Sequence, residues 1–480
     1  MHPNSRESSL PTSKAISFAS VGLVLGFLLI AVQVFLPPIL ASHLGVSLTT
    51  IGSAWAIVRV FDIAVDPALG FIIDRTKLTL GRYRSWLVLG APVLMAAIWA
   101  LFEAPVGVGF PYLLAWLLVF YLGISILTVV HSAWAANLVP DYDGRSRLFG
   151  LIAMLNVVGG VFVLGFPLLA NVFGWTSAQA VQAMGVFAVA ATPVVVFIVV
   201  LRTPEARAMG EKDAHDALAD LWRLLSKPDL IRLLAAQITL TLGPGWMSAL
   251  YLFFFTQSRG FSLDEASILL LVYMVAGVLG AFLTARVAIR LTKHRTLIAT
   301  AVAFALGLCS VAVIPKGNLI ATAPAMLWSG FMAAGFEMMI RAMLADVADE
   351  VRLDHGRDQI SLIYALNSAA NKLAAALAIG LTFPLLAGIG FNPAEGARNS
   401  VPAIHGLEFA FILGPIGFVL LGALSMAGWR LDPARHAGIR AALQARDGVH
   451  LLVPIMETLT PDLAVATTLA PRTADPEATP

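Results

Sequence analysis

Charge is scarce in this sequence. Lys, Arg, Asp and Glu together make up 12% of 480 residues, where a soluble domain carries about a quarter. Cysteine occurs once, at Cys309 inside an apolar run, which excludes a disulfide framework and a cysteine metal site. The net charge of +2 gives no argument for nucleic acid as a partner. No metal-ligand spacing, nucleophile elbow or phosphate loop is present, so the residues point away from an enzyme and call for no cofactor. The short alternating segments of a β-barrel are missing too. What the chain has in excess is apolar residues, 59% of the total, with a mean hydropathy of +0.84. That is an all-α polytopic membrane protein whose first partner is the lipid bilayer.

Twelve runs are long enough to span: Ser17–Ala41, Ser47–Ile73, Trp86–Phe102, Pro111–Leu138, Leu148–Asn171 and Gln179–Leu201, then Leu233–Gln257, Glu265–Ile289, Thr296–Ile314, Ile320–Ala345, Ser361–Ala387 and Gly406–Gly428. The first is read as a retained span and not a signal peptide. The chain divides into an N-terminal segment 1–16, a six-helix bundle 17–201, a polar loop 202–232, a second bundle 233–428 and a tail 429–480. Ala217–Leu225 reads as a short surface helix. RLDPARHAGIRAALQAR reads as a terminal helix, and the Thr-, Pro- and Ala-rich tail from about Pro454 as disordered.

Basic residues collect on one side of the predicted membrane, at Arg75, Arg82, Arg84, Arg145, Arg147, Arg290, Lys293 and Arg295 among others, and that side should be cytoplasmic together with both termini. A shift of 211 residues carries Arg75, Arg82 and Arg84 onto Arg286, Lys293 and Arg295, and a shift of 212 carries Gly144-Arg145 onto Gly356-Arg357. Two loops agreeing on one offset indicate a duplicated six-helix unit, the arrangement of the major facilitator fold. The first shift carries Asp62 onto Tyr273 and Asp66 onto Gly277, so these acids belong to the first half alone.

Charges at membrane depth carry the functional reading, since each is costly unless paired or hydrated. Arg59, Asp62 and Asp66 share one face of the second span. The two acids can coordinate a small cation or hold a proton between them, because adjacent negative charges repel. Lys372, midway along the eleventh span with Asn367 and Asn371, needs a carboxylate on another helix, and the second-span acids are the candidates. Glu337 and Arg341, four apart on the tenth span, can satisfy each other. His131 is a candidate proton relay. The aromatic residues Trp134, Trp246 and Tyr273 can stack on a sugar ring or simply pack. Gly243-Pro244-Gly245 is expected to break the seventh span. The stretch Gly70 to Arg84, with Asp74, Arg75, Gly81, Arg82 and Arg84, suits a conformational latch at the end of the second span, with Gly70 allowing a close helix approach.

RVFDIAVDPALGFIIDRTKLTLGRYRSW, VPDYDGRSRLFG, LADVADEV and NKLAAALAIGLTFPLLAGIGF together resemble the glycoside–pentoside–hexuronide:cation symporters, the melibiose permease-like branch of the major facilitator superfamily. The resemblance implies uptake of a sugar or glycoside coupled to Na⁺ or H⁺, with the cation at Asp62 and Asp66 and Lys372 nearby. Thr128 stands where the family has a further Asp in the fourth span. Gln33 is the only polar residue where the family has a sugar-binding acid in the first span, and Ala153 stands at the place of a sugar-binding Arg. Loss of a ligand carboxylate harms Na⁺ more than H⁺, so H⁺ is favoured. The reading is a cation-coupled symporter working by alternating access, a monomer of the bacterial inner membrane, whose substrate contacts are sought among Arg59, Gln33, His131, Trp134, Trp246, Tyr273, Asn367 and Asn371. The alternatives are the same fold carrying an amphipathic or lipid-like metabolite, and a non-transporting sensor or scaffold.

Overall fold

A computed structural model describes residues 11–76, 80–139, 142–204, 222–355, 359–394 and 397–459. The described residues contain 12 helices long and apolar enough to cross a membrane. They are α1 (Thr12–Ser42), α2 (Leu48–Arg75), α3 (Arg82–Phe102), α4 (Phe110–Leu138), α5 (Tyr142–Val163, resumed as Gly165–Phe173), α6 (Ser177–Arg202), α7 (Pro228–Ser258), α8 (Leu263–Leu291), α9 (Lys293–Val313), α10 (Leu319–His355), α11 (Ile360–Gly388) and α12 (Val401–Ser425). A surface helix, α13 (Pro433–Leu459), follows. Residues 1–10, Gly356-Arg357, most of the Ala217–Leu225 stretch and the tail beyond Leu459 lie outside the description.

Local chemistry sets the starts. Ser47 caps α2 by accepting from the Thr50 N–H, and Thr176–Gln179 and Ser262–Glu265 form capping boxes at α6 and α8. Two departures from expectation follow from physics that hydropathy does not register. α10 continues ten residues past the apolar limit at Ala345, because ADVADEVRLDH is still a good helix sequence once it has left the membrane. α7 is continuous through Gly243-Pro244-Gly245 instead of broken. Its glycines serve close packing: a Cβ at Gly243 would lie 2.6 Å from Val419, and one at Gly245 would lie 3.1 Å from Ala378. α13 also runs through Pro454 to Leu459, where the composition suggested disorder.

The duplication is visible in the packing. Within the first six spans α1 packs on α5 and α6, α4 on α2 and α3, and α3 on α6. Adding six to each label gives the pairings of the second set: α7 on α11 and α12, α10 on α8 and α9, α9 on α12. Glycine makes the tightest of these seams. A Cβ at Gly26 would meet the Asn156 carbonyl at 1.8 Å, and one at Gly159 the Leu23 carbonyl at 1.9 Å, so α1 and α5 touch backbone to backbone.

The two sets meet through α2 with α11, α5 with α8 and α1 with α7. The glycine-mediated part of the α2–α11 seam lies toward the helix ends opposite the termini. A Cβ at Gly52 would be 2.7 Å from Pro384, and one at Gly380 would be 2.8 Å from Ala56 Cβ. α1 meets α7 through a π-helical turn at Ala31–Phe35, and α5 meets α8 through Gly165–Phe173.

Candidate functional site

Below that closed seam, toward the face where α1 begins and α12 ends, lies a cavity of about 800 Å³ with walls from α1, α2, α5, α7, α8, α10 and α11. Most of its lining is apolar, from residues such as Leu29, Val157, Met274, Ala334 and Phe336. Polar groups enter at Gln33, Arg59, Tyr273, Glu337, Asn371 and Lys372. A smaller cavity of about 210 Å³ lies within the first six spans and shares Leu29, Gln33 and Arg59 with the larger one. Tyr121, Thr128 and Asn156 complete its polar lining.

The charges gather at the α2–α11 seam. Lys372 Nζ lies 2.6 Å from Asp66 Oδ2 and 3.1 Å from Asp62 Oδ2, and also donates to the Asp62 backbone carbonyl at 3.1 Å. Asp62 is 4% exposed. Its other oxygen accepts from the Ser125 hydroxyl at 2.8 Å, and Arg59 Nη1 lies 3.4 Å from Oδ2. The Arg59 guanidinium sits over the Tyr121 ring, 4.1 Å from its centroid. Two cations and two carboxylates thus balance in one cluster, which is what permits charge to persist at this depth. Asp66 Oδ1 is buried without a hydrogen bond.

Among the described residues, no ion pair crosses the pseudo-symmetric seam between α5 and α8. The two repeat shifts carry Lys372 back to Gly160 and Asp62 forward to Tyr273. There Gly160 packs on Met274, and a Cβ at Gly160 would lie 2.9 Å from Met274 Cε.

Several residues singled out in the sequence lie elsewhere. Thr128 lines the small cavity, one turn from Ser125, which is the fourth-span residue that touches Asp62. His131 is buried, donates from Nε2 to the Phe18 carbonyl at 2.8 Å and stacks on that ring. Trp134 donates to the Pro204 carbonyl and stacks on Tyr83, and Trp246 donates to the Ala410 carbonyl against α12. Asn367 is buried outside the cavity lining, with its Oδ1 unbonded.

In the Gly70–Arg84 stretch, Gly70 has open space around the place of a Cβ, so no helix approaches it in this conformation. Arg75 ends α2, and Gly81 takes φ 102° to turn the chain into α3, where Arg82 is the first residue. Arg84 donates to the Thr203 carbonyl at 2.6 Å, tying α3 to the end of α6. The Asp74 side chain lies outside the description. Glu337 and Arg341 pair at 2.7 Å on α10, and Glu337 also accepts from Gln237, so the pair is joined to a second helix, α7.

Residues 17–432 match the model of the MFS/sugar transport protein family. The chain belongs to that family. Its members are transporters and not enzymes. The family's fold recurs in a solved structure of a bacterial homologue of the human lysosomal transporter Spinster, in an inward-facing and unoccupied conformation, with a TM-score of 0.65 at 15% identity over 88% of this chain and 98% of that one. Among curated members, the isoprimeverose transporter of Lactiplantibacillus pentosus is 21% identical over 89% of this chain and 90% of its own. The sodium-dependent lysophosphatidylcholine symporter 1 of Mus musculus is 22% identical over 81% and 79%. The lactose permease of Lactobacillus delbrueckii subsp. bulgaricus is 24% identical over 82% of this chain, which spans less than two thirds of it, 65%.

Proposed function

We propose that this protein is a proton-coupled symporter of a sugar or glycoside, working by alternating access between its two six-helix bundles, 17–201 and 233–428. The cluster of Arg59, Asp62, Asp66 and Lys372 carries the reading. It is neutral as it stands, it joins one bundle to the other, and its members Arg59 and Lys372 line the cavity. A proton taken by Asp66 removes one of the two carboxylates holding Lys372 and so weakens the seam. Na⁺ would need the place between the two acids, where the Lys372 ammonium stands; this supports H⁺ over Na⁺. The small cavity, with Gln33, Arg59, Tyr121 and Asn156, has the polar and aromatic groups for one sugar ring, and the larger cavity has room for an aglycone or second ring. The excess of Lys and Arg on the terminal face supports cytoplasmic termini, and with them a cavity that opens inward.

The test is uptake of a labelled panel, including isoprimeverose, lactose and phenyl glycosides, into energised cells, with and without Na⁺ and with and without a protonophore. Accumulation abolished by the protonophore and indifferent to Na⁺ is expected. Accumulation that requires Na⁺ overturns the choice of ion. A second reading, carriage of an amphipathic lipid-like molecule, is favoured by the apolar walls of the large cavity and by the likeness to a lysophosphatidylcholine symporter. Uptake of a labelled lysolipid in place of every sugar would establish it.

A further inference from the structure

The neutral cluster at the α2–α11 seam leaves one carboxylate of the cavity wall unexplained. Among the described residues lining the large cavity, Glu337 is the only acid; Asp62 and Asp66 stand behind Lys372. It comes from α10, in the second set of six spans, and its side chain is 42% exposed.

Its surroundings hold it in place without saturating it. Arg341 Nε donates to Oε1 at 2.7 Å, and Gln237 Nε2 donates to Oε2 at 3.2 Å. An ionised carboxylate offers about four lone-pair sites, and two are used here. Gln237 is fully buried on α7 and spends its other N–H on Thr241 at 2.8 Å, leaving its own Oε1 buried and unbonded. A fully buried amide whose donors both serve to fix Glu337 and Thr241, two cavity-lining residues, is a costly arrangement for packing alone. Arg341 is 67% exposed, so water screens much of its charge and Glu337 keeps its negative character toward the cavity. The adjoining wall, Phe336, Ile340 and Ala333, can give a ligand only apolar contact.

A fixed carboxylate with free acceptor sites on an apolar wall recognises hydrogen-bond donors, adjacent hydroxyl groups above all. It repels an anion brought close to it. Arg59 and Lys372 offer no compensating attraction, since Asp62 and Asp66 neutralise them. We propose that Glu337 is the substrate-gripping carboxylate of the second bundle, held by Gln237 and Arg341, and that it selects uncharged polyhydroxylated rings over their uronate counterparts. This rests on the glycoside reading above and adds the residue and the charge rule.

The test uses the purified full chain in detergent and titration calorimetry with 4-nitrophenyl β-D-glucoside, galactoside, xyloside and glucuronide. Wild type should bind a neutral glycoside at least about tenfold more tightly than the glucuronide. Glu337→Gln should weaken the neutral ligand by about tenfold or more and narrow the gap to the glucuronide. The ratio is the readout that a merely structural role would leave alone. Glu337→Asp, which keeps the charge, should lose affinity and keep the preference. Unchanged neutral affinity in Glu337→Gln, or a wild-type preference for the glucuronide, would overturn the proposal while leaving the glycoside reading intact. If Glu337→Gln does not fold, wild-type affinity in Glu337→Asp overturns it equally. Should wild type bind none of the neutral glycosides, the cargo reading falls and takes this role with it.

Discussion

Lys372 and Asp66 stand 2.6 Å apart across the seam between the two sets of six spans. The repeat shifts carry this pair to Gly160 and Gly277, neither of which has a charge. Among the described residues, ion pairs therefore cross one seam and none crosses the other.

Neutralising the cluster should separate coupling from folding. Asp62→Asn keeps an acceptor for Ser125 but leaves Arg59 and Lys372 to share the single carboxylate of Asp66. Concentrative uptake should fall to background, and stability should drop by about 3 kcal/mol, the low end for a broken buried pair. Pairing Asp62→Asn with Lys372→Met should restore part of the stability and none of the uptake. Thermal unfolding in detergent and labelled-substrate accumulation check the two halves of this expectation. Normal accumulation by Asp62→Asn would sink the coupling assignment.

His131 should prove to be a packing residue. Its Nε2–H satisfies the Phe18 carbonyl, and the ring stacks 4.3 Å from that of Phe18, away from the cavity lining. His131→Phe leaves a buried carbonyl unpaired and should cost about 1–3 kcal/mol in stability. Uptake per folded molecule and its pH profile should be unchanged. A displaced pH profile would instead make His131 a relay.

How much of this was legible in the sequence depends on what kind of signal each residue gives. Asp62, Asp66 and Lys372 announce themselves because charge in an apolar run is expensive, and a buried Lys demands an acid on another helix. The repeat showed in loop basic residues and returns in the packing pairs. Ser125 gave no such signal: serines in spans commonly bond the carbonyl one turn back, and only the three-dimensional fold aims this one at Asp62. Glu337 was visible as a charge, yet its spacing from Arg341 made it look self-satisfied. That it faces a cavity with Gln237 behind it depends on how α7 meets α10, which no local pattern records. Trp134 and Trp246 stand out as aromatics at membrane depth, but their indole N–H groups satisfy backbone carbonyls of neighbouring segments.

The repeat makes a stability prediction at the turns after α2 and α8. Gly81 holds φ 102°, ψ 160°, and the shift of 211 places Thr292 at the same point with φ 78°, ψ 153°. That region is nearly confined to glycine and costs another residue about 1–3 kcal/mol. Thr292→Gly should therefore stabilise the protein by about 1 kcal/mol after the larger unfolded-chain entropy of glycine is deducted. Gly81→Ala should destabilise it by a similar amount. Thermal unfolding of the full chain measures both; a loss with Thr292→Gly would mean that the Thr292 hydroxyl, 3.3 Å from His294 Nδ1, outweighs the strain.

The closed seam can be pried open with one methyl group and its neighbours. Gly380 lets α11 approach α2 so closely that a Cβ would sit 2.8 Å from Ala56 Cβ, and both atoms belong to segments fixed by helix packing. Gly380→Val cannot be absorbed by rotating a flexible side chain, so the conformation seen here should lose population to one open on the opposite face. Ser248 lines the cavity and can report the shift as a cysteine, once Cys309 is replaced by serine. In the Gly380 parent, a membrane-impermeant maleimide should label Ser248→Cys from the terminal face. Adding Gly380→Val should move labelling to the opposite face and slow transport, because the cycle then lingers in one state. Labelling that stays on the terminal face, with the protein folded, would mean that the α2–α11 seam is not the gate.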